Sequence, residues 1–497
     1  MSEKRESLTR QTGRALSWNY AGAATRLLLA FGINILLSRL LGPKPFGELA
    51  IATIVYGFGN LLASVGISSA LIQKEELAAG DVRFSFTAQM LVGLLVGAAL
   101  FFSAPAWAAF FHQPESAILL RVFSLLFVVQ AFGTTATALL NRKQDARSIQ
   151  IISIISYLIA YLFIGIPAAL LGKGIWSLVI AQLAQALLNS MLSYAKVRHS
   201  LVPLLHPRHK TLLTFGLRIL GANISSWGIS NLDNTFVGRF AGTVSLGLYS
   251  RAFSLAALPA ETILGSLLQV LLPAFARVQK EDAKLRNVYA AAFGLILVVL
   301  APIFGVLFIV PDVVVLGLYG PKWTGAVPYF QPLALAIPIN AVMALSGPLL
   351  SARGKPQREF AMQAITLVLA ATAYFVAVKT SVLVLSWTVV GVYLVRFYLL
   401  TRASNQEIGG SWRALLSTAT PGFSLAGVAM LVAKLTAYAS AGMWAPARLA
   451  ITLAAAGIAV LVTARFSARK LLGPILSRFP QMLTLVPGSI QRFVSLS

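Results

Sequence analysis

The sequence predicts an all-α polytopic membrane protein of about fourteen transmembrane helices, arranged as two like-oriented six-helix lobes around a central cleft plus two extra C-terminal helices. Three observations carry this. Of 497 residues, 58% are hydrophobic and only 11% charged, whereas a water-soluble domain carries roughly a quarter charged residues. Apolar runs long enough to cross a bilayer recur fourteen times. The basic residues between those runs alternate between dense and sparse connections.

The net charge of +25 comes from 40 Lys and Arg against 15 Asp and Glu. A nucleic-acid binder reaches such a charge by adding cations to a polar surface. Here the acids are scarce and the remainder is apolar, so nucleic acid is not an expected partner. The chain has no Cys, which excludes disulfides, thiolate metal sites and Cys nucleophiles. Its four histidines, His112, His199, His206 and His209, show no HExxH or paired spacing. No metal, cofactor or catalytic constellation is expected.

Residues 1–15 are too polar and too charged to begin a cleavable signal peptide and read as a cytoplasmic leader. A bilayer core of about 30 Å asks for about 20 helical residues. On that measure spans fall near 16–40, 48–72, 84–111, 117–140, 149–171, 175–195, 212–238, 246–272, 288–311, 325–351, 361–378, 382–401, 414–436 and 443–465. The first six form an N-lobe over 16–199, the next six a C-lobe over 200–412, and the last two occupy 413–465. In the basic cytoplasmic tail, 466–497, Arg469, Lys470, Arg478 and Arg492 sit among apolar residues as an anionic lipid surface would favour. Pro474, Pro480 and Pro487 argue against one continuous helix there.

Cytoplasmic loops retain Lys and Arg, and the loops here sort by that rule. Twenty-seven basic residues fall on the leader, the tail and the even-numbered connections, against nine, from Arg39 to Arg448, on the other side. Both termini are therefore expected in the cytoplasm, which an even number of spans requires.

The chain also resembles itself. SRLLGPKPFGELA (38–50) and GRFAGTVSLGLYS (238–250) align at a displacement of 200, pairing Arg39 with Arg239, Gly42 with Gly242 and Gly47 with Gly247; Asn34 and Asn234 fall at the same displacement. LIQKEE (71–76) has a looser echo in RVQKED (277–282). Six spans separate the copies, so the halves share one orientation about an axis along the membrane normal, a transporter's architecture.

Ionisable residues inside spans cost about 2.5–3.5 kcal/mol each on insertion scales and face a protein interior or wet cavity. Arg26 lies about 15 Å into the first span at 1.5 Å per residue. Asn19, Arg26 and Asn34 share one stripe on that helix, and Asn223, Ser226, Ser230 and Asp233 form another on the seventh. The alternative reading is that such stripes are hydrogen-bonded glue between helices. Asp233 and Glu261 are candidates for ion coupling or gating, Asp233 equally for an ion pair with an arginine. Arg218 and Arg251 sit nearer span ends, where they can snorkel, and Arg396 reads as an interfacial anchor. Four Arg against two carboxylates leave a cationic interior. Arg grips phosphate oxygens in a bidentate fork, which suits a phosphate or diphosphate headgroup; a cationic drug calls instead for an acidic, aromatic-lined cavity.

The stretches SRLLGPKPFGELA (38–50), GISSALIQKEE (66–76), NLDNTFVGRFAG (231–242), LGLYSRAFSLAALP (246–259), LLPAFARVQKED (271–282), LYGPKWTGAVPYFQPLALAIP (318–338) and SARGKPQ (351–357) resemble, in order and spacing, the polysaccharide-transporter branch, the Wzx-type flippases, of the multidrug/oligosaccharidyl-lipid/polysaccharide exporter superfamily. The resemblance implies a two-lobed bundle that opens alternately to either side. It would carry polyprenyl-diphosphate-linked oligosaccharide across a bacterial inner membrane in O-antigen, capsule or exopolysaccharide assembly, with membrane lipid, a polysaccharide polymerase and a chain-length regulator as its company. In that family, cationic residues of helices 1, 2, 7 and 8 line the cavity. Arg26, Arg218 and Arg251 fall in such helices, whereas the second span here has no Arg. The leading expectation is thus a flippase with Arg26, Arg218, Arg251, Asn19, Asn34 and Asn223 on the substrate. The alternatives are a proton- or sodium-coupled multidrug exporter and a membrane glycosyltransferase or polymerase; the acids an enzyme needs are scattered, and no GxxxxGK[ST] is present for an ATP-driven pump.

Overall fold

The computed structural model describes residues 8–63, 71–72, 74, 76–205 and 227–476, and among these every regular element is helical. The first helix, α1 (Leu8–Leu41), begins inside the expected leader. It ends at Gly42, whose φ of 78° is open to glycine at little cost, and Pro43 then starts α2 (Pro43–Ala63). Gly stops one helix and Pro, needing no amide partner in a first turn, begins the next. The helices α3 (Ala79–Phe110), α4 (Ser116–Arg142), α5 (Ala146–Leu170) and α6 (Ile175–Val197) follow. A π-helical stretch, Ile159–Gly165, interrupts α5.

The next helix, α7, occupies 227–240, and α8 (Gly242–Val278) follows a turn at Ala241. Gly242, with φ 80°, repeats the conformation of Gly42. Beyond lie α9 (Asp282–Ile309), α10 (Pro311–Tyr319), α11 (Pro321–Ala352), α12 (Pro356–Thr380), α13 (Val382–Ile408), α14 (Trp412–Ala439) and α15 (Ala445–Leu476).

Among the described residues, twelve helices are long and apolar enough to span a membrane, and they coincide with twelve of the fourteen predicted spans. The eighth span is α8, longer at both ends than 246–272. Of the seventh, residues 212–226 lie outside the described residues. The connection left at 312–324 between predicted spans is helical. Val313, Val314, Val315 and Trp323 are buried there, so tertiary packing holds a helix too short to stand on propensity.

The chain packs as two compact units, Met1–Gly247 and Leu248–Ser497. In the first, α3 and α4 approach until a Cβ on Gly93 would sit 2.6 Å from the Cβ of Ala131, the small-residue contact that close helix packing uses inside a membrane. In the second, α14 closes on α9 in the same way: a Cβ on Gly422 would sit 2.6 Å from the backbone of Leu297. The last two helices are therefore built into this unit: Gly317 of α10 also meets Leu449 of α15, and Arg448 pairs with Asp312 at 3.2 Å.

The sequence repeat has a structural counterpart. A Cβ on Gly47 would overlap the carbonyl of Thr243, and a Cβ on Gly247 the carbonyl of Pro43; each would lie 3.0 Å from the other glycine's amide nitrogen. Pro43 and Thr243 are themselves 200 apart, so the contact is reciprocal. The looser echo is held alike in each unit. Arg142, ending α4, donates to the carbonyls of Leu71, Ile72 and Lys74, and Arg353, ending α11, donates to the carbonyl of Gln279 and to Asp282.

Candidate functional site

In the first unit, Arg26 is exposed near the middle of α1, and its Nη1 donates to Ser153 Oγ of α5 at 3.3 Å. The helices meet closely one turn away, where Gly22 leaves room for Gln150. Among the described residues this guanidinium has one hydroxyl partner, which leaves most of its five donors for something else. Asn34 is half-buried on α1 and donates to the carbonyl of Ala30 at 2.8 Å. Asn19 lies on the same helix, its side chain outside those described.

Asp233 on α7 is buried, and its Oδ1 accepts from the amide nitrogen of Asn234 at 2.7 Å and from its side chain at 3.3 Å. Arg218 and Asn223 lie outside the described residues. In the second unit, Arg251 of α8 is half-buried and hydrogen-bonded to Tyr319 at the end of α10. Glu261, ten residues on, is exposed.

Arg396 is more than an interfacial anchor. Its Nη1 donates to Asn340 Oδ1 at 3.3 Å, its Nε is buried without a hydrogen-bond partner, and Tyr393, Glu359 and Tyr374 are near enough to act on its charge. Glu359 in turn accepts from Gln363 at 3.0 Å. A charge held this way belongs to the packing between α11, α12 and α13. Among the described residues, no group of three His, Asp or Glu stands close enough to hold a metal ion.

Neutral polar residues complete the picture in the first unit, and charge-based reading passes over them. Tyr56 of α2 packs its ring on Phe127 and Phe123 of α4, at centroid separations of 4.8 and 6.2 Å, and its hydroxyl donates to Gln130 Oε1 at 2.6 Å. Gln130 is exposed, as are Thr53 and Asn60 on the Tyr56 side of α2. The spacing 53, 56, 60 is a helical face, and a polar face within an apolar helix is the signal that would have marked it.

A family described as "Polysaccharide biosynthesis protein" matches residues 36–328. The succinoglycan biosynthesis transport protein ExoT of Rhizobium meliloti (strain 1021) is 28% identical over 330 residues, 65% of either chain. The match thus spans just under two thirds of that relative's length. The lipopolysaccharide biosynthesis protein WzxC of Escherichia coli (strain K12) is 23% identical over 367 residues, 71% of this chain and 72% of its own. Among solved structures, the lipid II flippase MurJ in an inward closed conformation superposes with a TM-score of 0.73 at 14% identity, covering 91% of this chain and 99% of its own. That likeness is one of fold.

Proposed function

The chain belongs to the polysaccharide biosynthesis protein family, whose match takes in more than half its length, and from that premise we propose that it flips polyprenyl-diphosphate-linked oligosaccharide repeat units across a bacterial inner membrane by alternating access. The observation that carries the reading is Arg26: a cation deep in a membrane-crossing helix, exposed, and tied only to one serine hydroxyl among the contacts described. Lipid is no place for such a group, whereas a diphosphate is a fitting partner. Relatives named for succinoglycan transport and lipopolysaccharide biosynthesis support the same cargo class. On this reading both termini are cytoplasmic, the protein is a transporter rather than an enzyme, and a polymerase and a chain-length regulator work beside it. Arg251 is a second cation for the headgroup, and Asp233 or Glu261 the coupling or gating carboxylate. The multidrug alternative draws no support from the relatives named above.

The test is transport in proteoliposomes. Wild-type protein is expected to move a fluorescent lipid-linked oligosaccharide to the opposite leaflet, and Arg26→Ala to lower the rate by at least about tenfold, the order expected for losing a charge-assisted contact. Lipid that stays on its original leaflet under every ion gradient rejects the reading. In the same assay, pH and sodium dependence unchanged in both Asp233→Asn and Glu261→Gln removes these carboxylates as coupling sites.

A further inference from the structure

The first unit carries polar groups that the cationic reading leaves without a task, and their heights match. Arg26 stands fifteen residues before Leu41, at the end of α1, and Tyr56 thirteen residues after Pro43, at the start of α2. Gln130 is fourteen residues after Ser116, and Ser153 seventeen before Leu170, at ends of α4 and α5 that lie on the same side of the membrane when successive helices alternate. At 1.5 Å per residue all four sit about 20–25 Å from that side. They stand at one height in the unit, as two hydrogen-bonded pairs: Arg26 with Ser153, and Tyr56 with Gln130.

Exposure tells which medium this level faces. Gln130 and Arg26 are exposed, and an amide or guanidinium turned into hydrocarbon costs several kcal/mol for want of hydrogen-bond partners. Both therefore open onto an aqueous interior. Tyr56 is fixed there: Phe123 and Phe127 hold its ring, and its hydroxyl occupies the oxygen of the Gln130 amide. What Gln130 has left for a ligand is its NH₂, a pair of donors, while the Tyr56 oxygen keeps acceptor capacity. Thr53 and Asn60 continue the hydroxyl and amide character along α2. A neutral, hydrogen-bonding surface with a rigid aromatic edge suits a pyranose, which offers hydroxyls around its rim.

We propose that the Tyr56–Gln130 pair is a saccharide subsite that reads the first sugar of the cargo, the one bonded directly to the diphosphate. This rests on the flippase reading above and deepens it. If Arg26 grips the diphosphate, the sugar esterified to it lies within one ring of the same level, and Tyr56 and Gln130 are the neutral pair at that level.

The experiment uses the full chain in nanodiscs and two probes, undecaprenyl diphosphate and the same lipid carrying one N-acetylhexosamine. Wild type is expected to bind both, the glycosylated probe more tightly. Tyr56→Phe keeps the ring packing and Gln130→Leu keeps the volume. Each is expected to weaken the glycosylated probe by about three- to tenfold, the worth of one hydrogen bond, and to leave the bare diphosphate unchanged. Because the two side chains act as a unit, the double variant should lose little more than either single one. Arg26→Ala should weaken both probes. Variants that weaken both probes equally, or neither, overturn the subsite while the flippase reading stands. A wild-type protein that binds neither probe overturns the flippase reading, and the subsite with it.

Discussion

A methyl group at Gly47 would collide with the carbonyl of Thr243, and one at Gly247 with that of Pro43; in both cases the obstacle is backbone, which cannot rotate aside. Overpacking of this kind costs about 1–3 kcal/mol. Gly47→Ala and Gly247→Ala are therefore each expected to lower the melting temperature of the detergent-purified protein by several degrees. Gly391, a helical glycine with nothing within 4 Å of an added Cβ, should tolerate alanine or gain from it. Equal melting temperatures for all three variants would remove the close contact as a source of stability. Single residues also show where reading by charge reaches its limit. Arg26 stood out in the sequence because a cation deep in an apolar run is costly. Gln130 and Tyr56 did not, because a neutral amide or phenol in such a run is common and only its exposure and its partner, properties of packing, give it meaning.

Helices announce themselves by length and hydropathy; the segments joining them do not. Residues 198–205, which follow α6, lie docked on α3. Arg83 donates to the carbonyls of Val202 and Pro203, Thr87 Oγ1 accepts from the Leu204 amide at 2.9 Å, and His199 packs between Phe86 and Tyr194. Burial holds His199 below the ordinary histidine pKa, partly offset by its bond to the carbonyl of Ser200. The neutral ring is thus the docked form. Its contribution is complete above about pH 6.5, the ordinary histidine value, and is lost as pH falls below it, because the undocked ring then binds a proton that the docked one resists. Hydrogen exchange at the Leu204 amide, corrected for intrinsic rates, should quicken between pH 7.5 and 5.5. His199→Phe, which keeps an aromatic ring and removes the titration, should flatten that dependence. Equal protection across the range in the wild type would show that the histidine does not govern docking.

At the scale of the whole molecule, the reading of fourteen spans rested on a bilayer's thickness and on charge, and those constraints leave their mark in any sequence. The twelve described spans lie where the apolar runs lie. Less legible were features set by tertiary contact: the extension of α8 to Val278, the short helix α10, and the packing of α14 and α15 into the second unit. The same constraints make topology testable, since a misplaced span inverts the side of every loop after it. The chain has no native Cys, so single cysteines can be placed without clearing a background. Cys at Gln144, Ser200 or Lys355, in connections rich in Lys and Arg, belongs on the cytoplasmic face. Cys at His112, Gly172 or Ser440, in the sparse connections, belongs on the outer one. In spheroplasts, a membrane-impermeant maleimide should label the second group alone, and lysis should add the first. Because Lys355 and Ser440 follow the seventh and eighth spans, their labels report on the stretch from 206 to 278. If the pattern holds through Ser200 and inverts at Lys355, an odd number of crossings lies between them, and the like orientation of the two halves fails with it.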